Sequence, residues 1–271
     1  MMDIRAPAAI AVASPFAGGP SLSGKHVAID DREGIATVTM NRPPANAIDL
    51  TFLEELDRVL LAIGERSPRA MILTGHGGIF SAGLDLKEVP RYDRAQQNLM
   101  LARLNEMIRR LYAMPIPTVA AVNGHAIAGG LVLMLACDWR VAVESGALFG
   151  LTEIHAGVPY PASANAVVQA ELAPAAAREL VLAGKNHTPE RALALGIVDE
   201  LQPSAAVLER SQAKARELAT APTEGYGRIK RQLRGQALAE MAEAIAAGDP
   251  LRDNWLFAET QAAAARVLRE G

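Results

Sequence analysis

The sequence has a single cysteine, Cys137, and few aromatic residues, which make up 4% of the chain. One cysteine excludes an intrachain disulfide framework and any CxxC metal or redox motif, and it favours a reducing compartment. An excess of either charge is also missing, because 27 Lys and Arg stand against 30 Asp and Glu. We therefore predict a cytoplasmic protein without the basic field that attracts nucleic acid or anionic membranes.

Long apolar runs are missing as well, since none approaches the roughly 20 residues that a membrane span needs. Residues 7–17 are small and apolar, but the acidic Asp3 precedes them, which is a poor start for a secretory signal. We expect residues 1–24 to form a flexible tail. Half of the 271 residues are hydrophobic, enough for a large packed core. We predict a core over residues 25–200 and a helical oligomerisation or lid region over 201–271.

Hydrophobic periodicity predicts alternating strands and helices. Strands are expected at 26–31, 35–40, 70–74, 118–122 and 139–143, the first two forming a hairpin. Helices are expected from a Thr51/Glu54 capping box, around 100–111, and at 129–136, 163–171, 174–183, 189–195, 205–219 and 251–269. This order predicts an α/β fold, although periodicity alone does not distinguish a doubly wound sheet from a spiral of turns.

Two glycine-rich segments, residues 77–88 and 120–130, follow predicted strands. The first lacks the Gly-Lys-Ser/Thr of a phosphate cradle, and Ile79 stands where a nucleophile elbow needs glycine, so Ser81 is a weak nucleophile candidate. The second leads into a buried helix from Gly129, whose free backbone N–H groups suit a developing oxyanion. Glycine-rich loops in α/β proteins are more often simple turns, and the residue pattern alone leaves both readings open.

Residues 80–86, Phe-Ser-Ala-Gly-Leu-Asp-Leu, and 123–130, Asn-Gly-His-Ala-Ile-Ala-Gly-Gly, resemble the two oxyanion-hole motifs of the enoyl-CoA hydratase/isomerase (crotonase) superfamily. The resemblance extends from residues 41–47 to 196–199. It implies a crotonase-like spiral of ββα repeats with a helical C-terminal subdomain. It also implies that the backbone N–H groups of Leu84 and Gly129 bind the thioester oxygen of an acyl-CoA and stabilise its enolate.

Hydratases of this superfamily hold a water between two glutamates. In this chain the first of those positions is Val132, whereas the second is Glu153, after a Phe-Gly pair. The arrangement resembles Δ3,Δ2-enoyl-CoA isomerases, which implies that Glu153 alone moves a proton from C2 of a 3-enoyl thioester to C4. We expect the pKa of Glu153 to be raised if its surroundings are apolar.

Other interpretations remain open. The chain could be a hydratase with an unusual acid, another crotonase-type lyase or hydrolase, or a noncatalytic acyl-CoA-binding member. Glu153 could be a capping or salt-bridging acid. His125 and His155 are interpreted as lining or core residues, and Asp85 as an acid that holds its loop through backbone N–H groups.

The resemblance places the nucleotide of coenzyme A near Arg42 and Lys87, with backbone contacts from Ala45 and Ala47. The full predicted substrate-binding set is Arg42, Ala45, Ala47, Ala82, Asp85, Leu86, Lys87 and Val132. No metal and no cofactor besides the substrate's own coenzyme A are expected. The resemblance also implies a homotrimer or a dimer of trimers, with Trp255 and Phe257 as packing anchors. The loop at 158–161 departs from the glycine-rich stretch of the family, so acyl length is left open.

Overall fold

The computed structural model describes residues 24–256 and 258–270. Apart from Gly24, the predicted tail over residues 1–24 lies outside the described residues, as does Phe257. Across the described part of the chain, every helix is too short or too polar to span a bilayer.

Strands and helices alternate through the first 200 residues. The strands are β1 (Val27–Arg32), β2 (Ile35–Met40), β3 (Ala70–Gly75), β4 (Ile79–Ser81), β5 (Thr118–Val122), β6 (His125–Ile127), β7 (Trp139–Val143), β8 (Phe149–Gly150), β9 (Asn186–His187) and β10 (Glu200–Gln202). The helices are α1 (Leu50–Arg66), α2 (Arg94–Tyr112), α3 (Gly129–Leu135), α4 (Glu153–Ala156), α5 (Ala162–Glu171), α6 (Pro174–Ala177), α7 (Pro189–Ala194), α8 (Val207–Leu218), α9 (Thr223–Leu233), α10 (Gly235–Ala247) and α11 (Ala258–Glu270).

Two sheets share these strands. One has the order β1-β2-β3-β5-β7-β10 and the other β4-β6-β8-β9. Strands β3, β5 and β7 enter the larger sheet in parallel, and each is followed by a short strand of the smaller sheet and then by a helix. The chain therefore winds as a spiral of ββα repeats followed by C-terminal helices, as predicted, and is not a doubly wound sheet.

The central strands are buried on both faces. Residues 70–74 of β3 and all of β5 are almost inaccessible to solvent, which is typical of parallel strands covered on each side. Helix α8 packs against β3, β5 and β7, while α10 packs on α2 and α5. The predicted boundary at residue 200 falls on the first residue of β10, and the division into core and helical region stays a prediction.

Several predicted boundaries were wrong. Helix α1 is capped by Asp49, whose side chain accepts a hydrogen bond from Phe52 N, so the Thr51/Glu54 capping box does not form. The last helix begins at Ala258 rather than 251. After α6 the chain continues as a π-helical turn over residues 178–182. Helices α9 and α10 were not predicted, and the two- and three-residue strands are too short to show periodicity.

Candidate active site

A cavity of about 1000 Å³ lies between the two glycine-rich loops, helix α2 and the segment that follows β8. All of the predicted site residues line it, both the three proposed to be catalytic and the substrate-binding set. They are Arg42, Ala45, Ala47, Ala82, Leu84, Asp85, Leu86, Lys87, Gly129, Val132 and Glu153. Segments far apart in the sequence thus meet at one place.

The two glycine-rich loops touch through their backbones. Gly83 has a φ of +78°, and a Cβ at this residue would come within 2.7 Å of Gly129 N. A Cβ at Gly130 would collide with the carbonyl oxygen of Ser81. Glycine is therefore needed for this approach, which brings the amides of Leu84 and Gly129 together. Among the described residues, neither of these amides has a hydrogen-bond acceptor.

Neighbouring backbone bonds fix the loop that carries Leu84. Ile48 N donates to Gly83 O at 2.7 Å, and Asp85 N donates to Ile48 O at 2.9 Å. The buried Ser81 hydroxyl donates to Asn46 O at 2.8 Å and accepts from Gly83 N at 3.1 Å. Ser81 does not line the cavity, so its role is to hold the loop and not to attack a substrate.

Glu153 begins α4 and is the buried carboxyl of the cavity, at 9% exposure. Its Oε2 accepts a hydrogen bond from the Tyr160 hydroxyl at 2.8 Å. Burial raises the pKa of Glu153 to about 7, although the bonds from Tyr160 and from its own backbone N–H act in the opposite direction. The expectation of a raised pKa is confirmed, and a group with this pKa exchanges protons readily near neutral pH.

Much of the lining of this cavity is apolar. Val132 is 1% exposed, and Leu133, Ala156 and Val158 also line the cavity. No cation of the described residues forms an ion pair with Glu153. The desolvation that raises its pKa is therefore not offset by a neighbouring positive charge.

Part of the cavity lining is charged. Arg42 donates to Asp49 at 2.7 Å, to Asp85 at 2.9 Å and to the Ala47 carbonyl oxygen at 2.9 Å. Asp85 also accepts from Lys87 N at 3.0 Å, as expected of an acid that holds its loop. Arg42 thus links the segment of residues 47–49 to the loop that contains Asp85, and it forms an ion pair with both Asp49 and Asp85. Its predicted contact with the nucleotide stays a prediction.

The two histidines near the loops do not line the cavity. His125 Nδ1 accepts from Leu148 N at 3.2 Å, and His155 Nε2 bonds with Gly184 O at 3.0 Å. His125 is partly exposed and His155 is exposed, so their interpretation as lining or core residues was wrong. Within the described part of the chain, no cluster of His, Cys, Asp or Glu is arranged to hold a metal ion.

The predicted site residues did not include Tyr160 or Lys25, which also line the cavity. The only signal for Tyr160 was its place in the unusual loop at 158–161. The chain turns back toward Glu153 at Gly157, where φ is +62°, and the residue spacing does not reveal that reversal. Trp255, predicted as a packing anchor, is 1% exposed, and its ring N–H donates to Pro159 O at 2.9 Å, within this same loop.

Comparison with known proteins identifies the family of this chain. The enoyl-CoA hydratase/isomerase family model matches residues 30–264. The chain belongs to this family. The probable enoyl-CoA hydratase EchA17 of Mycobacterium tuberculosis is 35% identical over 216 residues, which cover 79% of this chain and 82% of the relative. The mitochondrial enoyl-CoA hydratase domain-containing protein 2 of Bos taurus is 35% identical over 210 residues, covering 73% and 71%.

Among solved structures, human mitochondrial delta3-delta2-enoyl-CoA isomerase superposes with a TM-score of 0.85 at 26% identity. The alignment covers 91% of this chain and 98% of that one. Family membership indicates an acyl-CoA substrate and an enzyme of the enoyl-CoA hydratase/isomerase type. In general, paired backbone N–H donors can stabilise an oxyanion, and a buried carboxyl can transfer a proton.

Proposed function

We propose that this enzyme isomerises a 3-enoyl-CoA to a 2-enoyl-CoA with Glu153 as its only proton shuttle. The observation that carries the proposal is that Glu153 is the one carboxyl among the described lining residues without a cation partner, since Asp49 and Asp85 are paired with Arg42. An allylic shift needs one group that takes a proton and gives it back. Hydration by two acids would need a second carboxyl where Val132 stands.

In the proposed reaction, the thioester oxygen accepts hydrogen bonds from Leu84 N and Gly129 N. The Glu153 carboxylate removes a proton from C2, and the electron pair delocalises as a dienolate with its charge on that oxygen. The protonated carboxyl then delivers the proton to C4, which leaves the double bond between C2 and C3. Losing one such donor typically costs about 3 kcal/mol of barrier, so two backbone amides supply a large part of the catalysis.

The pKa of Glu153 supports this proposal. A shuttle must be a base in one half-reaction and an acid in the next, and a pKa of about 7 favours both at neutral pH. The apolar wall at Val132 excludes water from the dienolate and so opposes hydration.

Hydration is the second candidate, because the curated relatives with 35% identity carry hydratase names. It would require a water held by Glu153 and by a group other than an acid at residue 132. A noncatalytic acyl-CoA-binding protein is a third alternative, against which the retained Glu153 argues.

The deciding experiment offers purified enzyme a 3-enoyl-CoA and a 2-enoyl-CoA separately and identifies products by mass and chromatography. We expect the first to become a 2-enoyl-CoA without a change of mass, and the second to remain unhydrated. Glu153→Gln, which keeps the shape but not the base, is expected to lose at least about a thousand-fold in rate. Addition of water to the 2-enoyl-CoA would instead make the enzyme a hydratase.

The proposal includes coenzyme A bound at the charged part of the cavity lining, near Lys25 and Lys87, and no cofactor beyond it. It also includes a cytoplasmic location and assembly as a homotrimer or a dimer of trimers. These parts follow from the low cysteine content and from the resemblance of the chain to the superfamily.

A further inference from the structure

The hydrogen bond between Tyr160 and Glu153 has no role yet in the proposed reaction. The phenol lies 2.8 Å from Glu153 Oε2 and lines the cavity beside it. Among the described residues, it is the only side chain that donates to this carboxyl, and Oε1 accepts no hydrogen bond from another residue. The two carboxyl oxygens are therefore not equivalent.

The loop that carries Tyr160 is held from two sides. Proline precedes and follows the tyrosine, which restricts the backbone on both sides of it. Trp255 donates to Pro159 O at 2.9 Å, and the Thr260 hydroxyl donates to Gly157 O at 2.9 Å. The phenol is thus presented to the carboxyl by a segment fixed to the C-terminal part of the chain.

We propose that Tyr160 is a positioning residue, which binds Glu153 Oε2 so that Oε1 carries the proton between the two carbons of the substrate. The inference rests on the proposed isomerase function. A shuttle must present the same oxygen to C2 and then to C4, and a carboxyl that rotates freely would lose that geometry between the two steps. The phenol holds Oε2, and Oε1 is the oxygen that accepts no hydrogen bond from another described residue.

Tyr160 itself is suited to donate this bond and not to transfer the proton. Burial and the neighbouring Glu153 raise the pKa of the phenol well above its usual value, so it stays protonated at neutral pH. Other titratable groups of the cavity lining do not bond with it: Asp49 and Asp85 are paired with Arg42. The phenol can therefore donate to Glu153 throughout the reaction.

The test removes the hydroxyl with Tyr160→Phe. Loss of a hydrogen bond to a charged group should lower kcat about ten- to one-hundred-fold while KM changes by only a few-fold. Because the phenol favours the carboxylate, its loss should also move the titration midpoint of Glu153 upward, by about one pH unit. That midpoint is read directly by carbon-13 NMR of labelled glutamate, with Glu153→Gln for assignment.

The matched control is Tyr226→Phe, which removes a phenol bonded at 2.9 Å to the carboxylate of Asp138, a residue outside the cavity lining. It should leave kcat and the Glu153 titration unchanged. An unshifted Glu153 titration in Tyr160→Phe, or a rise in KM with constant kcat, would overturn the positioning role. Tyr160→Leu gives the same titration reading if the phenylalanine ring packs badly. The NMR titration of Glu153 does not depend on turnover, so it tests the role of Tyr160 separately from the proposed reaction. Failure of the wild type to isomerise 3-enoyl-CoA would contradict the proposed function.

Discussion

Two carboxyl groups in this protein each accept a hydrogen bond from a tyrosine, yet their surroundings differ. Glu153 accepts from Tyr160 at 2.8 Å, and Asp138 accepts from Tyr226 at 2.9 Å. Both are shielded, with Glu153 9% exposed and the Asp138 side chain 11% exposed. Asp138 differs in having two cations beside it, Lys230 and Arg234.

Asp138 has a structural role, because it forms ion pairs with two cations of the C-terminal region. Lys230 lies 2.8 Å and Arg234 3.0 Å from its carboxyl oxygens, and both cations are 6% exposed. Through them the C-terminal helices are joined to the end of α3. Glu153 instead lines a cavity and has no ion-pair partner among the described residues, and burial raises its pKa to about 7. Removing the charge of a buried carboxyl that has cation partners leaves those cations uncompensated, whereas a buried carboxyl without such partners can exchange a proton near neutral pH.

The largest effect is expected when the paired carboxyl is neutralised. Asp138→Asn leaves the buried Lys230 without its counter-charge and leaves Arg234 only its longer contact to Glu171, at 3.5 Å. Breaking such a buried pair typically costs about 3–5 kcal/mol of unfolding free energy. Urea unfolding measures this loss, while kcat of the folded variant should stay within a few-fold of wild type. A stability change below about 1 kcal/mol would show that Asp138 is not the anchor of the C-terminal helices.

Neutralising Glu153, the carboxyl without a cation partner, should raise the free energy of unfolding, whereas neutralising Asp138 should lower it. Folded Glu153 keeps its proton up to a pH of about 7, whereas its unfolded value is near 4.5, so folding stability falls as the pH rises through this interval. Glu153→Gln removes that penalty and should stabilise the protein by about 3 kcal/mol at pH 8 and by less than about 1 kcal/mol at pH 5. Urea titrations at the two pH values test this; equal effects at both would contradict the raised pKa.

The difference between the two carboxyls was only partly predictable from the sequence. Glu153 and the amides of Leu84 and Gly129 lie in short motifs, whose resemblance to the crotonase superfamily predicted a shared site. The two motifs need glycine at residues 83 and 130, because a side chain at either residue would push the two loops apart. Local sequence therefore predicts a contact between two loops where their close approach requires glycine.

Contacts between distant segments were not predictable. Lys230 is 92 residues from Asp138, and no periodicity links them. Tyr160 is only seven residues from Glu153, but its contact depends on the chain reversal at Gly157 and on the loop that Trp255 holds at Pro159. The short strands β4, β6 and β8 form because the larger sheet brings their ends together, and two or three residues carry no pattern of their own. In each case the contact is determined by the tertiary structure and not by the conformational preference of the local sequence.

The smallest expected effect is a difference in how the unfolding free energies of Tyr160→Phe and Tyr226→Phe depend on pH. Tyr160→Phe should destabilise the protein more at pH 8 than at pH 5, by about 1 kcal/mol if the Glu153 midpoint rises by one unit. The reason is that Glu153 is protonated in both folded proteins at the lower pH, whereas at the higher pH only the wild-type carboxylate is stabilised by the phenol. Tyr226→Phe should cost the same at both values, since Lys230 and Arg234 already compensate the charge of Asp138. Urea unfolding of both variants at the two pH values measures the difference. A pH-independent cost for Tyr160→Phe would mean that its bond to Glu153, like that of Tyr226, serves only to hold the fold.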